Sequence, residues 1–181
     1  MVRPWELVES RWRGDCRVFS LREDLARSPR TGEVFPFLVL HTPDWVGVVP
    51  ITADGKVVMV RQYRHGTKEI TLEIPGGLVE KGDPQESARR ELLEETGYAA
   101  KDLELLAVLR PQPAFMDNYY YAYLARDAYP AGGQRLDPAE DIEVVLVPLE
   151  EVPKRIAAGE ITHSLVVCTF YFVFAHQPTR G

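Results

Sequence analysis

At Pro84 the apolar pattern of this chain changes period, and that change limits the folds open to it. Before it, "WVGVVPIT" and "KVVMVRQYR" read as strands, joined at "ADG" by a hairpin turn with Asp54 and Gly55 at its tip. From Pro84, Ala88, Leu92 and Leu93 recur at helical spacing, with Pro84 suited to a first turn and Gly97 to a C-terminal cap. Afterwards "LELLAVLR", "NYYYAYLAR" and "IEVVLVPL" read as strands again, and "LEEVPKRIAAGE" as a short helix ending at Gly159. The apolar run Leu165 to Ala175 suits a helix packed on the core. Strands surround helices without regular alternation, which predicts an α+β fold, a mixed sheet flanked by helices. Ahead of all this, "WELVESRW", "CRVFSLRED" and "VFPFLVLHT" predict three strands, the last two separated by the turn "RSPRTGE". "LEIPGGLVEKGDPQ" reads as a glycine-rich loop. Residues 1–44 form an N-terminal strand region, and residues 45–181 carry the loop and helix where the chemistry is expected.

Composition narrows the partners. The 181 residues suit one domain with a small appendage, and 45% hydrophobic content fills a core. A net charge of −6 and the lack of any long basic run argue against nucleic acid. The N-terminus has no signal-peptide core, and the longest apolar run is too short to span a membrane. A soluble, cytoplasmic protein is expected. Cys16 and Cys168 have no metal-ligand spacing and are expected as two buried or half-buried thiols.

The helix "RRELLEETG" poses the functional question. Glu91 lies three residues before Glu94 and four before Glu95, so the three carboxylates share a flank. Like charges so placed destabilise a bare helix by a few tenths of a kcal/mol per pair. A solvated acidic face is one reading. The other is a metal platform, because hard divalent cations prefer carboxylate oxygens. The preceding "GGLVEKGD" favours the second: glycine backbone lies close in sequence, able to offer a carbonyl to a metal or approach a phosphate.

The stretch "GGLVEKGDPQESARRELLEETGY" resembles the signature of the Nudix hydrolases. Its second half matches in full, from Arg90 and Glu91 through Glu94, Glu95 and Gly97 to Tyr98. The first half departs: counted from Gly76 the first glutamate position falls on Gly82, and counted from Gly77 it falls on Asp83, one residue short. The resemblance continues through "VVMVRQYRHGTKEITLEIPGG", "PQPAFMDNYYYAYLA" and "DPAEDIEVVLVPLEEVPKRIAAGEI", which are similar to the ADP-ribose pyrophosphatase branch.

That resemblance implies a Nudix fold, with the N-terminal strands as the swapped arm of a homodimer. It also implies hydrolysis of a nucleoside diphosphate sugar by a metal-activated water, with Mg²⁺ or Mn²⁺ as cofactor. ADP-ribose, split to AMP and ribose 5-phosphate, is the leading substrate, and a GDP-hexose the alternative. A Nudix domain that binds such a ligand without turnover is a further reading, as is a hydrolase of dinucleoside polyphosphates or oxidised nucleotides. The metal ligands would be the Gly76 carbonyl, Glu91, Glu94, Glu95 and Glu140. Arg90, Glu94 and Glu140 would be catalytic, with Arg90 holding the helix carboxylates. Arg64 would meet the pyrophosphate, Glu73 would brace the loop or touch substrate, and Phe115 or Trp45 would stack on a base or pack in the core. The position where the branch often has its water-activating glutamate is Pro138. Asp137, Glu140, Glu143 and Glu94 therefore remain candidate bases. His65 and His163 are expected to be structural or surface residues.

Overall fold

The computed structural model describes residues 1–175; residues 176–181, the end of the expected 45–181 domain, lie outside it. The chain divides into two compact units, one of residues 1–43 with 110–119, the other of 44–109 with 120–175.

The larger unit is built on a mixed sheet. β4 (Trp45–Thr52) and β5 (Lys56–Arg64) form the expected hairpin, with Gly55 at φ +79° supplying its left-handed turn residue. β6 (Glu69–Glu73) pairs with β5, and β7 (Gly76–Leu78) pairs with β4. Past α1 (Pro84–Thr96) come β8 (Tyr98–Ala99), β9 (Leu103–Leu109), β10 (Tyr120–Pro130) and β11 (Ile142–Pro148). The main path runs β11-β5-β4-β10-β8, and its one parallel pair is β4 with β10, which sets Tyr120 opposite Trp45. A 3-10 turn (Leu149–Glu151) leads to α2 (Val152–Ala157), and α3 (Ser164–Ala175) closes the described chain.

Side-chain alternation explains why helices cover both faces. On β4 and β10, Val46, Val48, Tyr123 and Ala125 point toward Ala88 and Leu92 of α1. The residues between them, including Val49, Tyr120, Ala122 and Leu124, join Val166, Phe170 and Val173 of α3. Strands buried on both sides read as near-continuous apolar runs, which is the pattern of "VVMV" in β5. The expected α+β sandwich is therefore the observed one, and Leu165 to Ala175 is helical as expected.

The smaller unit is a three-stranded antiparallel meander of β1 (Glu6–Asp15), β2 (Ser20–Arg27) and β3 (Val34–His41). Leu40 of β3 also bridges in parallel to Met116. Every residue of β1 is exposed.

Three expectations need correction. The second strand begins at Ser20, because the Cys16 N–H donates to the Phe19 carbonyl and spends the intervening residues on a turn. The glycine-rich stretch expected as a loop contains the end of β6 and all of β7. Both cysteines are exposed: Cys16 sits in the β1–β2 turn, and Cys168 lies on the outer side of α3, away from Thr169 and Phe170. No helix among the described residues is long and apolar enough to cross a membrane.

Candidate active site

Local sequence sets the start and end of α1. Asp83 is the N-cap, its side chain accepting from the Glu86 N–H at 3.0 Å, and Pro84 follows in the first turn. The short junction before it closes as a tight turn with Lys81 and Gly82 both at positive φ, and the Asp83 N–H donating to Glu80 O. The Ser87 hydroxyl ties the same turn down, accepting from the Glu80 N–H and donating to Asp83 O. Asp83, one of the two positions where the motif's first glutamate could fall, is thus occupied with helix capping. At the other end Gly97 adopts φ +72° and donates its N–H to Leu93 O.

The helix is not a solvated acidic face. Glu95 is 4% exposed and Glu91 9%, on the same side as Ala88 and Leu92. Burial pushes the Glu95 carboxyl up to about 8, and the charges of Glu91 and Glu140 push in the same direction. Burial raises Glu91 as well, with Glu94 and Glu140 adding to it against the pull of Arg90. Positive charge compensates these carboxylates only in part. Arg90 supplies part, reaching Glu91 and Glu94 at 2.8 Å each. The Gly76 N–H donates to Glu95 at 2.9 Å, which locks β7 to the helix. A Cβ at Gly76 would overlap the backbone of Val46 and Gly47 in β4, and one at Gly77 would displace the Glu91 carboxylate. Gly76 is therefore required by the close approach of β7 to β4, and Gly77 leaves the Glu91 carboxylate in place.

The 131–141 loop is fastened to the end of the same helix. The Gln134 side chain donates to Glu95 O at 2.7 Å and to Ile142 O at 3.0 Å, and the Arg135 N–H donates to Glu94 O. These bonds satisfy carbonyls that a helix C-terminus leaves free. Glu140 is exposed, its carboxylate accepting from the Asp137 N–H at 2.9 Å. Its charge is felt at both Glu91 and Glu95. Even so, among the described residues no three His, Cys, Asp or Glu side chains are gathered closely enough to hold a metal ion. Each acid instead has its own tether: Arg90, the Gly76 amide, or the Asp137 amide.

The other expected residues are placed as follows. Arg64 makes a two-pronged ion pair with Glu73, both bonds 2.7 Å, and the Thr71 hydroxyl donates to Glu73 as well. Burial opposes the Glu73 charge, but the Arg64 and Thr71 hydrogen bonds outweigh it and hold the carboxyl below its ordinary value. Arg64, Glu73, Gly76 and Trp45 all line one cavity. Glu143 pairs with Arg61 on the sheet surface. Phe115 lies in the smaller unit, where its carbonyl accepts from the Leu40 N–H, and it does not line that cavity. His65 packs edge-on against exposed Tyr63. His163, expected to be structural or at the surface, lines the cavity with its Nδ1 buried. Gln134 was not legible in advance, since a glutamine in a polar loop carries no spacing signal.

Comparison with known proteins places this geometry. The NUDIX domain family model matches residues 41–165. The ADP-ribose pyrophosphatase of Bacillus subtilis (strain 168) is 37% identical over 125 residues, 68% of each chain. The ADP-ribose pyrophosphatase of Mycobacterium tuberculosis (strain ATCC 25618 / H37Rv) is 32% identical over 180 residues, covering 98% of this chain and 86% of that one. Among solved structures, an ADP compounds hydrolase superposes with a TM-score of 0.85 over 97% of this chain and 95% of its own, at 23% identity, a likeness of fold. The acid-bearing helix locked to a glycine strand lies inside the matched segment, and the chain belongs to the Nudix family.

Proposed function

We propose that this protein hydrolyses the pyrophosphate bond of a nucleoside diphosphate sugar, foremost ADP-ribose, giving AMP and ribose 5-phosphate, with Mg²⁺ or Mn²⁺ as cofactor. The observation that carries the reading is the pair Glu91 and Glu95. Both are buried and raised in pKa, beside Gly76 and Gly77, which line a cavity. The relatives named ADP-ribose pyrophosphatase supply the substrate class.

The chemistry of the donors, all oxygens, suits a hard divalent cation, which would have to draw them together. Glu91, Glu94, Glu95 and Glu140 offer carboxylate oxygens, Gly76 offers a carbonyl, and the buried acids gain most from a cation. Such an ion would offset phosphate charge and activate water. Around it, Arg90 holds Glu91 and Glu94 in register, and the Gly76 amide aims Glu95. Arg64, kept charged and oriented by Glu73, presents its guanidinium at the cavity for phosphate. Glu140 is the candidate base that fits best. Its loop is anchored at Gln134 and Arg135, yet the residue is exposed and electrostatically linked to Glu91 and Glu95, while Glu143 is taken by Arg61. Glu94, half-exposed, is the second candidate.

The N-terminal strands are read as a dimer arm, in a homodimer that works in the cytoplasm. The exposed Trp5, Phe35 and Phe37, packed edge-on together, support it, because exposed apolar surface marks an interface. The test of function is incubation of pure protein with ADP-ribose and Mg²⁺. Release of AMP, absent with EDTA, is expected. Binding of ADP-ribose with no AMP released under Mg²⁺ or Mn²⁺ would replace a hydrolase with a binding module.

A further inference from the structure

A cavity of about 510 Å³ opens beside Gly76 and Gly77 and extends to the first turn of α3. Its floor is apolar, with Ile74, Val166 and Tyr120. The Tyr120 hydroxyl is paired with Thr169 at 3.0 Å, and its ring tip is packed on Gly47, where any Cβ would overlap it. Both Glu73 oxygens in the lining are taken, each accepting from Arg64 and one also from Thr71. His163, next to the exposed Thr162, also lines the cavity, and its buried Nδ1 has no hydrogen-bond partner. A fold seldom leaves such an atom unmatched, since the lost hydration is not returned.

We propose that this cavity receives the sugar-phosphate half of the substrate, with His163 hydrogen-bonded to a sugar hydroxyl and so selecting among distal sugars. The inference rests on reading the protein as a hydrolase of nucleoside diphosphate sugars. In that reading the diphosphate lies near Gly76 and Gly77, so whatever fills the cavity is joined directly to one phosphate. The cavity has room for such a half.

The lining distinguishes the halves. A planar base needs open aromatic faces, and Tyr120 offers none, with its tip buried against Gly47. Trp45 also lines the cavity, but it is half-buried and packed against the apolar core. The hydroxyls of Thr67 and Thr162, the Glu69 carboxylate and the His163 ring form a polar lining that matches a polyol.

Calorimetry with the two product halves tests this on the intact protein with Mg²⁺. Ribose 5-phosphate and AMP are titrated separately into wild type, His163→Phe and His163→Asn. The phenylalanine keeps the ring and removes its nitrogens, whereas the asparagine keeps a polar atom near Nδ1. Loss of one buried hydrogen bond weakens ribose 5-phosphate by about tenfold in H163F, with H163N near wild type and AMP unchanged in all three. An AMP affinity that falls in H163F while ribose 5-phosphate holds would give the cavity to the nucleotide half and overturn the assignment. So would equal affinities for ribose 5-phosphate in all three proteins. Unchanged AMP binding also shows that H163F is folded. Product binding needs no turnover, so a wild type that binds ribose 5-phosphate through His163 yet releases no AMP from ADP-ribose contradicts the hydrolase reading alone.

Discussion

The two units of this protein are incomplete in opposite ways. The smaller one leaves apolar surface outside: Trp12 is 61% exposed, and Leu7 and Leu38 more than half. Its charges, by contrast, are well matched. Arg22 bonds both Asp24 and Asp117, and hydrogen bonds from Arg22 and Ser10 outweigh burial to hold Asp24 below its usual range. The larger unit has a filled apolar core and buries two carboxyl groups, Glu91 and Glu95. Each deficit names a kind of partner. Unburied aromatic and aliphatic side chains gain from another protein surface, and buried carboxylates gain from a cation.

Removing the inner charge should have the largest effect. Glu95→Gln is expected to lower AMP release from ADP-ribose by roughly 100-fold or more, since residues that merely orient a metal ligand already cost about 10–100-fold. Full activity in that variant would remove Glu95 from the site. The same substitution should stabilise the metal-free fold at high pH. The Glu95 carboxyl titrates near 4.5 when unfolded and at about 8 when folded, so the folded state holds the proton longer. Its penalty is absent below about pH 4.5 and grows as pH rises through about 8, which lowers stability. In EDTA, Tm of wild type should therefore fall relative to E95Q across that window. Parallel curves would show that the buried charge costs the fold nothing.

The outer deficit is tested by charge on the sheet. Leu7→Lys with Leu38→Lys should halve the mass seen by light scattering, converting a dimer to monomers. A wild type that is already monomeric would break the dimer reading. The smallest effect belongs to Asp83→Ala, which removes the cap of α1 and should cost about 1 kcal/mol, or about 2–4 °C in Tm.

The sequence announced what was local and periodic. Apolar spacing from Ala88 to Leu93, with Pro84 and Gly97 at the ends, marked the helix, and the "ADG" turn marked the hairpin. It also raised the right question about Glu91, Glu94 and Glu95, although spacing alone could not say that the first and third face inward. That depends on β7 meeting the helix, and β7 is too short and glycine-rich to read as a strand. The placement of Arg110–Tyr119 with the N-terminal strands was hidden for a similar reason, since the Leu40–Met116 bridge joins residues far apart in sequence. Gln134 and His163 owe their positions to tertiary packing and have no pattern of their own. Cys168 misled because an apolar run says that a helix is buried, not which of its faces is.

The central claim is that Glu91 and Glu95 form a cation site, and Mn²⁺ titration followed by electron paramagnetic resonance at about pH 8 tests it most directly, near the titration point of Glu95. The account predicts saturable Mn²⁺ binding to wild type, competed by Mg²⁺ and largely lost in E95Q. Identical titrations in the two proteins, or no bound Mn²⁺ in wild type, would contradict it.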